Sequence, residues 1–223
     1  MAERSNEDAT QYGPVDFARD TGADALTMQR LSVYAAMLVE WNAHTNLVSP
    51  STIPDLWRRH LFDSAQCVPL LPAGTKTITD IGSGAGFPGM VLAIMLSHQT
   101  QIRVRLIEAT QKKCRFLQEV ARETGTNVEI RWGRAEAINL PPAEIVTARA
   151  VAPLEDLLPL IEQHSMSTTK ALLFKGGRVR EELTRVHHTW DFHADLVPSR
   201  SDSSGVILCV TGLRRWPSPV KRP

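Results

Sequence analysis

The stretch that most constrains the fold is Thr79-Asp80-Ile81-Gly82-Ser83-Gly84-Ala85-Gly86-Phe87-Pro88-Gly89. It follows the β-branched run from Thr75 to Ile81 and precedes the apolar run from Met90 to Leu96. The pattern predicts a strand that turns through glycines into a helix. Glycines permit positive φ and close backbone approach, Pro88 suits a first helical turn, and the helix directs N–H groups and a positive dipole end into the crevice. Such a turn is a cradle for a nucleotide-like ligand.

A chain of 223 residues with 43% hydrophobic content can build one substantial core, burying roughly 70–75% of its unfolded surface. Its net charge of +1 gives no global electrostatic signature, so any grip on nucleic acid must rest on local patches. Cys67, Cys114 and Cys209 lack the spacing of a zinc site or a disulfide framework, and no metal is expected. With no signal-like segment and no run near ~20 apolar residues, the chain reads as cytoplasmic with no membrane contact.

Residues 1–24 show little apolar periodicity and read as a mobile arm. In Ala25 to Ala43, Leu31, Tyr34, Ala35, Leu38 and Trp41 recur at helical spacing, opening a helical subdomain over 25–72. A second helix is expected from Ser51 to Pro54 onward, with Ile53, Leu56, Trp57, His60, Leu61, Ser64 and Ala65 on one stripe. His60 then faces the apolar side and Asp63, three residues on, can reach it across one turn. The pair is either a buried histidine held by its local carboxylate or the mouth of a ligand cleft.

Over 73–213 the pattern alternates. Strands are expected at 75–81, 103–108, 128–131, 145–150 and 171–174, and helices at 88–98, 112–123, 154–164 and 178–187. A closing hairpin is expected at 192–197 and 206–213. Alternation of this kind specifies a parallel sheet covered on both faces, and the hairpin adds an antiparallel break at its edge. The tail, 214–223, is basic, with Trp216 as a candidate base-stacking residue.

Strand ends carry the chemistry. Glu108 lies 24 positions after Gly84, where an acid can accept both hydroxyls of a ribose. Gly133-Arg134-Ala135-Glu136 follows the third strand, where an adenine would sit. Arg149 puts a donor fork at the end of a central strand, able to hold a carboxylate or phosphate. Lys175 ends the fifth strand in the same manner but is a weaker candidate. The glycines satisfy two fingerprints: Gly84-x-Gly86-x-x-Gly89 fits a dinucleotide site, while Asp80-x-Gly82-x-Gly84-x-Gly86 fits methyltransferases that use S-adenosylmethionine. The hairpin ending favours the second.

Taken together, Trp41-Asn42, Thr45-Asn46-Leu47, Trp57 to Ser64, Asp80 to Gly89, Arg134-Ala135-Glu136 and Ala148 to Ala152 resemble the RsmG family, also called GidB, over about residues 30–212. These are bacterial guanine-N7 methyltransferases of 16S rRNA. The resemblance implies an α/β Rossmann-like class I S-adenosylmethionine-dependent methyltransferase. Its sheet would be seven-stranded and mostly parallel with an antiparallel edge strand, preceded by an N-terminal helical extension. It implies contacts to S-adenosyl-L-methionine from Gly82, Phe87, Ala135, Glu136 and Arg149, with Glu108 as the ribose acid and Gly84 and Gly86 completing the turn. Arg149, His60 and Asp63 are the expected catalytic group. The implied substrate is a guanine in the 530 loop of 16S rRNA, free or in the 30S subunit, with the enzyme acting as a monomer.

Candidate RNA contacts are Arg58 with Arg59; Lys112, Lys113 and Arg115; Arg131 with Arg134; Lys175, Arg178 and Arg180. Two other readings compete: an NAD-dependent oxidoreductase built on the same glycines, and a catalytically silent rRNA-binding assembly factor.

Overall fold

A computed structural model of the chain describes residues 11–216. Seven strands form one sheet: β1 Thr77–Ile81, β2 Arg103–Glu108, β3 Glu129–Trp132, β4 Ala143–Arg149, β5 Ser165–Lys175, β6 Trp190–Pro198 and β7 Val206–Arg215. Their spatial order is β3-β2-β1-β4-β5-β7-β6. The first five run parallel, and β7 enters antiparallel between β5 and β6, so the break in direction lies one strand inside the edge. The chain moves from β1 outward to β3, then returns to β4 on the other side of β1. That reversal opens a crevice beyond the carboxyl ends of β1 and β4.

Helices α4 Gly89–Met95, α5 Gln111–Thr124, α6 Leu154–Gln163 and α7 Val179–Val186 connect the strands. Adjacent strand residues feed opposite faces. Ile145, Leu172 and Ile207 join the core under α4 and α5, while Val146, Leu173 and Leu208 join the core under α6. Burial on both faces explains the near-continuous apolar runs of the inner strands. β5 is longer than its apolar signal because its first half, Ser165–Thr169, is hydroxyl-rich, and Thr169 donates to Ala143 O (2.6 Å).

The N-terminal helices share the first of these cores. In α2, Ala25–Asn42, the Asp24 side chain caps Thr27 N–H at 2.7 Å, and Leu31, Tyr34 and Leu38 are fully buried among Phe87, Met90 and Phe116. Asn42 closes the next loop by accepting from Leu47 and Val48 N–H at 2.9 and 3.0 Å. Within the segment that the sequence pattern marks as a mobile arm, Pro14–Thr21 forms α1, and residues 1–10 lie outside the described residues. Gly13 N–H bonds the Asp16 carboxylate at 2.9 Å, and Phe17, fully buried, meets Trp57 edge-on. Phe17 is the one buried side chain of the eight residues of α1.

The second predicted helix is irregular. A 3₁₀ segment over Pro50–Asp55 leads into a π-helical turn, Trp57–Phe62, then α3, Asp63–Ala65. Among the described residues no helix is long and apolar enough to cross a membrane, and no cluster of side chains is fit to hold a metal.

Candidate active site

Gly82 begins the turn at φ +66°, and a Cβ there would lie 2.7 Å from Val151 Cγ2, so only glycine lets the β1 and β4 ends approach this closely. Asp80 is buried beneath the turn. Its Oδ1 accepts from Thr147 Oγ1 (2.6 Å) and Oδ2 from Gly89 N–H (3.3 Å), while burial pushes its pKa up to about 6. Glu108 takes the other side: Oε2 accepts from Gly84 N–H (2.8 Å) and Oε1 from Thr110 N–H (2.6 Å). Gly86 faces inward against Tyr34, Met90 and Leu117, and Tyr34 Oη donates to Ala85 O.

At the end of β4 Arg149 is fixed on all sides. Its NH2 group donates to His60 Nδ1 (2.6 Å); NH1 donates to Asp63 Oδ2 (3.1 Å) and Arg59 O (3.0 Å); the guanidinium lies 4.8 Å from the Phe87 ring centroid. The His60 ring also stacks on Phe87, with centroids 5.0 Å apart. The tautomer of His60 follows from the chain of donors. Thr52 Oγ1 gives its proton to Ser49 O (2.7 Å), so it must accept from His60 Nε2–H (2.8 Å), leaving Nδ1 as acceptor for Arg149. Burial, with Arg149 and Arg59 nearby, lowers the His60 pKa to about 3. His60 is therefore neutral, with both nitrogens engaged.

The expected direct contact between His60 and Asp63 is replaced by Arg149 standing between them. The π-helical turn accounts for this. Positions three apart adjoin in a 3.6-residue turn, and the wider turn rotates them away from each other. Asp63 instead accepts from Ser201 Oγ (2.5 Å) and Ser199 Oγ (3.4 Å) of the β6–β7 loop. Gln66 accepts from Arg200 N–H (2.6 Å), and Arg58 donates to Ser201 O and Arg200 O. Arg58 thus ties loop to turn rather than standing free. Lys175 donates to Ala152 O and pairs with Glu182 (2.8 Å), which neutralises it.

Two cavities meet at Val151 and Ala152. One, of ≈ 530 Å³, is bordered by Gly82, Gly133, Ala135, Glu136 and Asp156. The other, of ≈ 490 Å³, is bordered by His60, Asp63, Arg149, Phe174, Ser201 and Asp202. The predicted residues separate accordingly. Gly82, Ala135 and Glu136 border the first cavity, His60, Asp63 and Arg149 the second, while Gly84, Gly86, Phe87 and Glu108 border neither. Arg149 thus sits across the junction from the glycine side. Val151 carries the partition because Ala150 turns the chain at φ +54°, a conformation rare outside glycine. Sequence reasoning missed this device, and missed Ser199 and Ser201, because a polar loop between hairpin strands carries no signal distinguishing it from any turn.

The first cavity is walled by Ile81, Val151 and Leu160, and its rim is pinned by Gln163 Nε2 donating to Glu136 O (3.2 Å) and by His164 Nε2 against Ala135 O (3.2 Å). Gly82 keeps its floor open, and the Glu108 carboxylate lies at the end of the neighbouring strand.

Comparison with solved structures places the fold. A methyltransferase from Geobacter sulfurreducens superposes with a TM-score of 0.57 at 18% identity, covering 82% of this chain and 90% of its own. Closer in sequence are proteins named ribosomal RNA small subunit methyltransferase G. The one from Paramagnetospirillum magneticum is 43% identical over 88% of this chain and 94% of its own length. That from Rhodospirillum centenum is 44% identical over 90% and 91%. The sequence profile of GidB, described as rRNA small subunit methyltransferase G, matches residues 27–203. This chain, with its glycine-floored cavity and its Arg149 cluster, belongs to that GidB family of S-adenosylmethionine-dependent methyltransferases.

Proposed function

We propose that the protein transfers a methyl group from S-adenosyl-L-methionine to N7 of a guanine in the 530 loop of 16S rRNA. The observation that carries this reading is the junction of two cavities at Val151–Ala152 in a chain of this family, one suited to an adenosyl group and one open to a base. Gly82, Ala135 and Glu136 would hold the adenosyl end, with Glu108 on the ribose. Arg149 would hold the methionine carboxylate through the two donors its guanidinium has not spent on His60, Asp63 and Arg59. The bound donor supplies an electrophilic methyl on a sulfonium.

Guanine N7 has a lone pair and no proton to lose, so no general base is needed. A neutral, fully engaged His60 agrees with that. His60 and Asp63 act as positioning residues: they fix Arg149, which in turn fixes the reacting geometry. Orientation of this kind can lower a barrier by up to about 7–11 kcal/mol. The second cavity receives the base between apolar Val151, Phe174 and Val206, with Ser199, Ser201 and Asp202 as acceptors for its N–H edge. The protein acts as a cytoplasmic monomer on 16S rRNA or the 30S subunit.

The test supplies labelled S-adenosylmethionine with 30S subunits or 16S rRNA from cells lacking the gene, and locates the product by mass spectrometry. Wild type should deposit one methyl on a 530-loop guanine, and Arg149→Lys, which keeps charge but loses the fork, should lower turnover about a hundredfold. Wild-type turnover in Arg149→Lys would remove Arg149 from the site. Calorimetric binding of NAD in place of S-adenosylmethionine would favour the oxidoreductase reading.

A further inference from the structure

We propose that Trp132, flanked by Lys112, Lys113 and Arg134, is a stacking platform for an unpaired base of the ribosomal RNA. The inference rests on the function proposed above and names a surface for it.

Trp132 ends the edge strand β3, in register with Glu108, at the carboxyl side of the sheet where the cavities open. It is 60% exposed, yet its indole Nε1–H donates to Ala109 O at 3.0 Å, so a large aromatic face is held still in solvent. An exposed ring fixed in this way loses little conformational entropy on stacking. Both Ala109 and Gly133, the residues that seat it, border the adenosyl-side cavity, so the platform abuts the site.

The surrounding charge selects the partner. Lys112 and Lys113 occupy the first turn of α5, directly after Ala109 and Thr110, and Arg134 follows Gly133. Among the described residues none of these three cations has an ion-pair partner, whereas neighbouring Arg105 and Arg131 both pair with Glu129. Uncompensated cations close in chain to the residues that seat an aromatic face suit a base with its flanking phosphates.

Trp216, the tail residue that the sequence nominates for stacking, supplies the contrast. It is 50% exposed and also tethered, its Nε1–H donating to His187 O. But β7 runs antiparallel, which puts Trp216 at the opposite end of the sheet, beside Arg214 and Arg215 that are neutralised by Asp191 and Glu162.

Binding of 30S subunits and of 16S rRNA, with methyl transfer and S-adenosylmethionine affinity, should be measured for wild type, Trp132→Ala, Trp132→Phe, Trp216→Ala and Lys112→Gln/Lys113→Gln. We expect Trp132→Ala to weaken binding of the RNA substrate about tenfold, the loss of one base stack, with S-adenosylmethionine affinity and melting unchanged. Trp132→Phe should recover most of the loss and Trp216→Ala should match wild type. The lysine pair should instead flatten the salt dependence of binding by about two in slope. Wild-type RNA binding by Trp132→Ala overturns the platform, as does a loss matched by equal loss of S-adenosylmethionine affinity. In either case methyl transfer by wild type leaves the proposed function intact. Trp132-dependent RNA binding without any methyl transfer supports the platform and rejects that function instead.

Discussion

Two buried ionisable side chains of the site respond to pH in opposite directions. Folding lowers the His60 pKa to about 3 from 6.5, so the native state resists its protonation. The stability this contributes is complete above pH 6.5 and is lost as pH falls toward 3. Folding raises the Asp80 pKa from 3.8 to about 6, so the native state resists its ionisation. That contribution is complete below pH 3.8 and is lost as pH rises to 6. Between pH 7 and 5 protonation of unfolded His60 removes about 2 kcal/mol while protonation of native Asp80 returns about 1–2 kcal/mol, at roughly 1.4 kcal/mol per pH unit. Urea melts at the two pH values should therefore show His60→Gln losing about 2 kcal/mol less than wild type on acidification. Asp80→Asn should lose more than wild type by about 1–2 kcal/mol. Equal pH slopes in His60→Gln and wild type would mean that His60 is solvated and free to titrate.

At the scale of elements, the glycine turn and the Ala150 turn form one construction, because β1 and β4 adjoin in register and their ends must pass each other. Gly82→Ala would place a methyl 2.7 Å from Val151 Cγ2 at φ +66°. We expect it to weaken S-adenosylmethionine binding at least a hundredfold and to cost about 1–3 kcal/mol of stability. Adding Val151→Ala should recover part of both. Calorimetry and thermal melts measure the two effects, and wild-type affinity in Gly82→Ala would show that the junction yields easily. The parallel strands and the glycine turn were legible because their apolar runs and punctuation are local. Arg149 was legible because a charge ending an apolar strand is conspicuous. The partners of Arg149 were only half legible: His60 and Asp63 stand out in sequence, but their geometry depends on a π-helical turn, which has no distinct periodicity in six residues. Ser201 was illegible because it meets Asp63 across 138 positions through a loop with no hydrophobic pattern.

Across the whole molecule, the members of the Arg149 cluster come from two sources that only folding unites. His60 and Asp63 belong to the helical N-terminal part, Arg149 to the sheet, and the β6–β7 loop binds the former through Ser199, Ser201 and Arg200. Packing of the N-terminal part against the sheet is therefore a condition for the site. Its outermost layer is α1, whose Phe17 contacts Trp57 at the start of the π-helical turn, while Tyr12 packs on Phe62 at its end. Removing the Phe17 ring should cost about 3–5 kcal/mol, the range for a fully buried aromatic truncated to alanine. If α1 braces the turn, Phe17→Ala should also lower methyl transfer at temperatures where the sheet remains folded, because His60 and Asp63 lose their support before the core under α6 is touched. Hydrogen exchange should then show faster opening of residues 50–66 with unchanged protection of β4 and β5. Uniform loss of protection across the sheet would instead mean that α1 stabilises the fold as one unit. Wild-type stability in Phe17→Ala would return the segment to the mobile arm that its sequence suggests.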